Sequence, residues 1–307
     1  MGDGIFFKVD RDYKVHQAEP AVRAFYVARE LGRRKAVLSF PHFLDYTDPN
    51  YSRQWFHTLI AEKCQDLLLG KLKTGRLMVF VPPQHGKSEI VSRKFPAWAL
   101  GYNPNLKIVG TSYAASLAQG FSRSIQRTID SSEYKEVFPC TFLNSQNVST
   151  DAKRGYLRNI DIFETVGFGG FYRAVGVGGG LTGTPADLGI IDDPVKDALE
   201  AASQTYRDRV WEWYTDVFLT RLHNDSKQCL IMTRWHEDDL AGRLLRTEPE
   251  KWTVIRIPAL REDRDNPADP RENGEALWEA KHSAERLHEA EKRAPRNLAA
   301  HYQQRPT

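Results

Sequence analysis

The tripeptide Gly86-Lys87-Ser88 follows the apolar run Leu77–Val81 and opens a segment of helical character, Ser88–Phe95. A strand-to-helix junction carrying a lysine and a hydroxyl suits an anion. Backbone N–H groups at a helix N-terminus point at phosphate oxygens, and the lysine adds a full charge. In that reading Lys87 reaches the β and γ oxygens of a nucleotide, Ser88 ligates Mg²⁺, and Gly86 lets the backbone come close. The full pattern G-x-x-x-x-G-K-[ST] would put its first glycine at Val81, so the motif is degenerate, and Gly-Lys-Ser alone is equally compatible with an ordinary helix start.

A second feature changes the balance. Leu188-Gly189-Ile190-Ile191-Asp192-Asp193-Pro194 reads as an apolar strand ending in two carboxylates. Phosphoryl transfer needs one acid to hold Mg²⁺ and a neighbour to polarise the attacking water, which assigns Asp192 to the metal and Asp193 to the water. Pro194 ends the strand, leaving both acids at its C-terminal tip, where ligands bind in open parallel sheets. Asp-Asp-Pro alone is also turn chemistry. Together with the upstream lysine and serine it specifies a hydrolytic nucleotide site.

These residues need a scaffold. Apolar spacing predicts a helix over Gln54–Leu69, strands at Leu77–Val81, Leu106–Thr111, Phe171–Val177, Leu188–Ile191, Cys229–Met232 and Trp252–Ile257, and helices at Ala114–Ile129, Val210–Leu222 and Asp238–Arg246. The helix from Ser88 is expected to end near Pro96. Strands alternating with helices imply an α/β fold with a mainly parallel sheet flanked by helices. Residues 1–50 read as a helical lead-in, 51–260 as the core, and 261–307 as a charged linker (Arg261–Glu275) with a helical tail (Ser283–Arg293).

The 307 residues carry 43 basic and 40 acidic side chains, a net charge of +3, which announces no particular partner. Cys64, Cys140 and Cys229 are too scattered for a disulfide framework or a zinc site. No apolar stretch approaches the ~20 residues of a membrane span, and the N-terminus lacks a signal-peptide core, so a soluble, cytosolic chain is expected.

Pro82-Pro83-Gln84-His85-Gly86-Lys87-Ser88-Glu89, Thr111-Ser112-Tyr113, Ile191-Asp192-Asp193-Pro194, Met232-Thr233-Arg234-Trp235-His236-Glu237-Asp238-Asp239-Leu240 and His301-Tyr302-Gln303-Gln304-Arg305-Pro306 resemble the large terminase subunits of tailed bacteriophages. The resemblance implies a P-loop NTPase of the additional-strand (ASCE) class that uses ATP and Mg²⁺ to drive double-stranded DNA into a procapsid. It implies that Pro83, Gln84, His85, Gly86, Lys87, Ser88 and Glu89 wrap the triphosphate, that Asp192 positions Mg²⁺ and that Asp193 is the catalytic carboxylate. Thr233 matches the motif coupling hydrolysis to DNA movement, and Gln54 is placed to read the adenine edge. The implied partners are DNA, the portal protein, the small terminase subunit and further copies in a ring, with a monomer in isolation, in the host cytoplasm. The family's nuclease domain would follow the last phrase, so nuclease activity is not expected of this chain.

Many relatives carry an arginine in the phosphate loop where this sequence has Gln84, so charge on the γ-phosphate is expected to be met from elsewhere. An arginine supplied by a neighbour would do this, with Arg123, Arg127 and Arg173 as candidates. Gly178-Gly179-Gly180-Leu181-Thr182-Gly183 fits a dinucleotide fingerprint, but a strand follows it rather than a helix, so it reads as a loop near the site. His85, His223 and His236 lack metal-ligand spacing, and Trp211, Trp213 and Tyr214 are expected in the core. Arg154, Arg158, Lys196, Arg207 and Arg209 could touch DNA phosphates or simply be solvated.

Overall fold

The computed structural model describes residues 20–149, 155–262 and 268–306. The sheet is organised by strands whose residues alternate between two buried faces. In β1 (Arg76–Phe80), Leu77 and Val79 face one core while Met78 and Phe80 face the other. The same period of two sends Leu188 and Ile190 of β5 (Ala186–Asp192) one way and Ile191 the other. In β6 (Leu222–Ile231) it separates Cys229 and Ile231 from Leu230. Burial on both faces is the environment of a parallel sheet, and it explains why these strands read as unbroken apolar runs.

Seven strands take the order β3-β4-β2-β5-β6-β1-β7, with β2 at Lys107–Ser112, β3 at Ile162–Glu164, β4 at Phe171–Gly176 and β7 at Thr253–Arg256. Every pairing is parallel except β3 with β4. β6 lies between β1, which leads to the lysine, and β5, which ends in the two acids. That inserted strand is the additional-strand topology, and it brings Thr233, just past β6, between the two motifs.

The first face is covered by α1 (Pro20–Leu38), α2 (Phe40–Thr47), α3 (Trp55–Leu68), α4 (Phe95–Tyr102), α5 (Ala115–Asp130) and α6 (Ser132–Val137). Ala36, Phe40, Phe43 and Leu44 belong to the same buried cluster as β1, so the stretch from Ala36 to Leu44 packs into the main core, while Phe25, Tyr26, Val27 and Leu31 earlier in α1 are exposed. The second face is covered by α7 (Ala198–Ala202), α8 (Gln204–Glu212) and α9 (Leu240–Thr247), with Trp213 and Tyr214 buried there and Trp211 packed at its margin. Ala259, Leu260, Ala276, Leu287 and Leu298 form a small third cluster around α10 (Ala284–Arg293).

Two local expectations are revised, and one strand was not expected. Pro96 does not end its helix: a π-helical segment, Glu89–Lys94, precedes α4, and Pro96 falls in the first turn of α4, where proline is tolerated. β6 begins at Leu222 rather than Cys229, because its first half, with exposed His223, Asn224 and Asp225, carries no apolar signal. The three-residue edge strand β3 is too short to show periodicity.

Close packing leaves no room for a side chain at Gly110 of the central sheet. A Cβ on Gly110 would lie 1.9 Å from the Tyr172 hydroxyl, whereas one on Gly180 meets nothing within 4 Å. Gly110→Ala is therefore expected to lower unfolding free energy by about 1–3 kcal/mol in urea titrations. Gly180→Ala should change it by less than about 1 kcal/mol.

Candidate nucleotide site

β1 ends at Phe80, and the chain passes through residues 81–86 before helix begins at Lys87. Two residues in this stretch adopt the left-handed conformation, Gln84 at φ 61 and Gly86 at φ 81. At Gly86 only glycine fits, because a Cβ would lie 2.8 Å from the Tyr51 hydroxyl and 2.9 Å from His57 Nε2. The turn delivers Lys87 into a buried position at the carboxyl edge of the sheet.

There Lys87 Nζ donates to Thr233 Oγ1 at 2.9 Å and pairs with Asp193 Oδ2 at 3.1 Å. The Thr233 N–H donates to Asp193 Oδ1 at 2.6 Å, closing a three-residue ring. Asp193 sits at φ 45, a conformation aspartate tolerates better than most residues. Its own N–H donates to Ile231 O at 2.9 Å, which ties the tip of β5 to the tip of β6.

Asp192 forms a second set. Its Oδ1 accepts from Ser88 Oγ at 3.1 Å and its Oδ2 from Ser92 Oγ at 2.5 Å. Burial raises the Asp192 carboxyl to about 7, and the charge of Asp193 pushes the same way, against Lys87 and the two hydroxyls. A buried carboxylate in this state invites a cation. Ser88 and Asp192 supply hard oxygen donors side by side, and Ser112, the register partner of Asp192 on β2, has a buried hydroxyl with no partner among the described residues. This donor chemistry fits Mg²⁺, which takes few protein ligands and keeps its waters.

Thus Lys87, Ser88, Asp192, Asp193 and Thr233 converge from three chain segments. The rest of the loop lies alongside: the Pro83 carbonyl accepts from His85 Nδ1 at 2.8 Å, His85 is buried, Gln84 is exposed, and Glu89 pairs with Arg93 at 3.2 Å. Gln54 caps α3, its N–H donating to His57 Nδ1 at 3.0 Å and its amide turned to Ser52. Arg173 is not brought to this cluster; it lies within β4 and donates to Thr184 Oγ1 at 2.7 Å. Arg123 and Arg127 are exposed on α5. Arg158 is paired with Asp130 and Arg207 with Asp238, Lys196 and Arg209 are exposed, and Arg154 lies outside the described residues. His223 bonds Asp187, and His236 Nδ1 accepts from the Asp238 N–H at 2.9 Å.

The family model for the N-terminal region of T4-like-virus-type terminase large subunits matches residues 78–295, more than two thirds of the chain. The chain belongs to the terminase large subunit family. No curated protein matches it in sequence. An arginine-to-alanine variant of the Thermus phage P74-26 large terminase ATPase domain superposes with a TM-score of 0.51 at 14% identity, covering 86% of this chain and 98% of that one. The bacteriophage HK97 large terminase superposes with a TM-score of 0.52 at 14% identity, covering 82% of this chain. This chain spans 50% of the length of the HK97 protein. At such identity the likeness is one of fold.

Several residues of this terminase's site were not singled out from sequence. Ser92 was legible in principle, since it lies four residues after Ser88 on one helix face. His57, Trp278, Lys281 and His282 carried no signal, being distant in sequence. His57 Nε2 bonds the His85 carbonyl at 3.0 Å, the His282 ring stacks on His85 at 4.7 Å, and Trp278 meets His57 edge-on at 5.1 Å. Arg234 and Asp239 form a buried pair at 2.8 Å beside the tip of β6.

Burial pushes both His57 and His85 down to about 4, although each has a backbone hydrogen bond acting the other way. Between about 4 and the ordinary histidine value near 6.5 the unfolded chain binds more protons than the folded one. Their contribution is complete above that window and is lost as pH falls through it. Urea stability should decline from pH 6.5 to 4, and the decline should be shallower in His85→Gln.

Proposed function

We propose that this terminase domain hydrolyses ATP with Mg²⁺ and uses the energy to move double-stranded DNA into a procapsid. The observation that carries the reading is the joining of Lys87, Asp193 and Thr233 in one contact ring. It links the residue that would hold the triphosphate, the acid that would act on water, and the strand tip that would transmit the result. Membership of the terminase large subunit family supports the same assignment.

In the proposed reaction ATP replaces Asp193 as the partner of Lys87, whose ammonium then meets the β and γ oxygens. Asp193, released from the lysine, orients a water for in-line attack on the γ-phosphorus and accepts its proton, while the bond from that phosphorus to the β–γ bridging oxygen breaks and ADP leaves with the electron pair. Ser88 and Asp192 would hold Mg²⁺, which supplies neutralisation of phosphate charge when bound. Thr233 loses its lysine bond on nucleotide entry and regains it on release, so occupancy alters the tip of β6. DNA gripping would use lysine and arginine contacts to phosphates rather than bases. Portal protein, small terminase subunit and further copies in a ring are the proposed partners, in the host cytoplasm.

Lys87→Ala and Asp193→Ala are each expected to reduce DNA-stimulated ATP hydrolysis by about a hundredfold or more. Thr233→Ala should retain measurable hydrolysis while losing DNA translocation. Full ATPase activity in the Lys87 or Asp193 variant would falsify the assignment.

A reading with little turnover by the isolated chain is favoured by one observation. Arg173 is engaged with Thr184, while Arg123 and Arg127 face solvent on α5, where they could serve a neighbouring copy. Activation in trans predicts that ATP turnover per chain rises with protein concentration. Turnover per chain that stays constant from dilute monomer to assembled ring would show that each copy is self-sufficient.

A further inference from the structure

A phosphate loop works only if its carbonyls point away from the anion and its N–H groups toward it. In a trans peptide the C=O of one residue and the N–H of the next point in opposite directions. Anchoring a loop carbonyl outward therefore aims the following N–H inward. Two successive carbonyls of this loop are anchored in that way, by side chains from outside the motif.

The Gln84 carbonyl accepts from Lys281 Nζ at 2.7 Å, across 197 positions of sequence. The same peptide supplies the His85 N–H, whose internal bond is a long 3.4 Å contact to Pro82 O. The next carbonyl, that of His85, is held by His57 Nε2 at 3.0 Å. His57 can play only the donor role here, because its Nδ1 already accepts from the Gln54 N–H. That peptide supplies the Gly86 N–H. Trp278 packs against both anchors, with Lys281 Nζ 4.8 Å from its ring centroid and the His57 ring 5.1 Å away.

We propose that Lys281, assisted by His57, is a positioning residue for the nucleotide: it pins the phosphate loop so that the His85 and Gly86 N–H groups are preset toward phosphate. The proposal rests on the nucleotide reading above and adds to it a contribution from the C-terminal segment. Left-handed backbone at Gln84 and Gly86 is strained or entropically costly. The two pins offset that cost before ligand arrives, so binding need not reorganise the loop.

The test uses the full chain and two variants, Lys281→Met and Lys281→Arg, with ATP and ADP binding measured by calorimetry. Hydrogen–deuterium exchange is followed over residues 81–88 in nucleotide-free protein. Lys281→Met should weaken both nucleotides by about tenfold, the loss of one charge-assisted hydrogen bond, and speed exchange in the loop. Lys281→Arg should bind within about twofold of wild type. Lys281 is exposed, so melting temperature should move by no more than about 2 °C. Wild-type affinity in Lys281→Met, or unchanged loop exchange, overturns the proposal and leaves the nucleotide reading standing. A wild-type chain that binds neither ATP nor ADP overturns the nucleotide reading, and the proposal with it.

Discussion

A lysine ammonium buried at the carboxyl edge of a parallel sheet requires an anion beside it, and much of this architecture follows from that requirement. An unpaired charge in such a place would cost several kcal/mol. Lys87 therefore sits against Asp193, and Asp193 in turn is fixed by the N–H of Thr233. The site is a self-neutralised ring, and in the proposed reaction its acid is the competitor of an incoming triphosphate. Exchange of one anion for another at Lys87 breaks a defined set of contacts, which is what a device sensitive to nucleotide occupancy needs.

Strand order places the ring where the proposed exchange would reach a neighbouring strand. Because β6 is inserted between β1 and β5, its tip receives contacts from both motif-bearing neighbours. Beyond that tip, Arg234 pairs with Asp239, and Asp239 Oδ1 also accepts the Gly242 N–H at the start of α9. The Arg234 guanidinium lies 5.2 Å from the ring of Phe80, the last residue of β1. A buried pair of this kind is costly to break and locks strand tip, helix start and phosphate-loop strand into one unit. Movement of Thr233 would thus be passed to a helix rather than dissipated in a loop.

The C-terminal segment reaches the same region twice. Trp278, Lys281 and His282 meet the phosphate loop, while His301 packs on Trp235 at 3.9 Å, two residues past Thr233. A segment that reads as a charged linker is, where described, anchored by a buried Arg271–Asp269 pair whose arginine also donates to the carbonyls of Pro258, Ala259 and Glu275. Those bonds replace the apolar contacts that the segment's composition does not provide.

Local features of the chain were enough to single out Gly86-Lys87-Ser88 and the two acids, because strand-to-helix junctions, apolar runs and acids at strand tips are short-range patterns, while Thr233 was singled out by the family resemblance. Alternation of strands and helices likewise determined a layered parallel sheet. Which strand lies beside which, and hence that Thr233 closes a ring with Lys87 and Asp193, depended on packing of both sheet faces at once. The engagement of Arg173 with Thr184 was equally invisible, since an arginine's partner is settled by what the fold brings near it. Lys281 and His57 mark the limit most clearly. Their work on the loop is done through backbone carbonyls, which every residue possesses, so no pattern of side-chain types announces it and only the folded chain decides which lysine arrives.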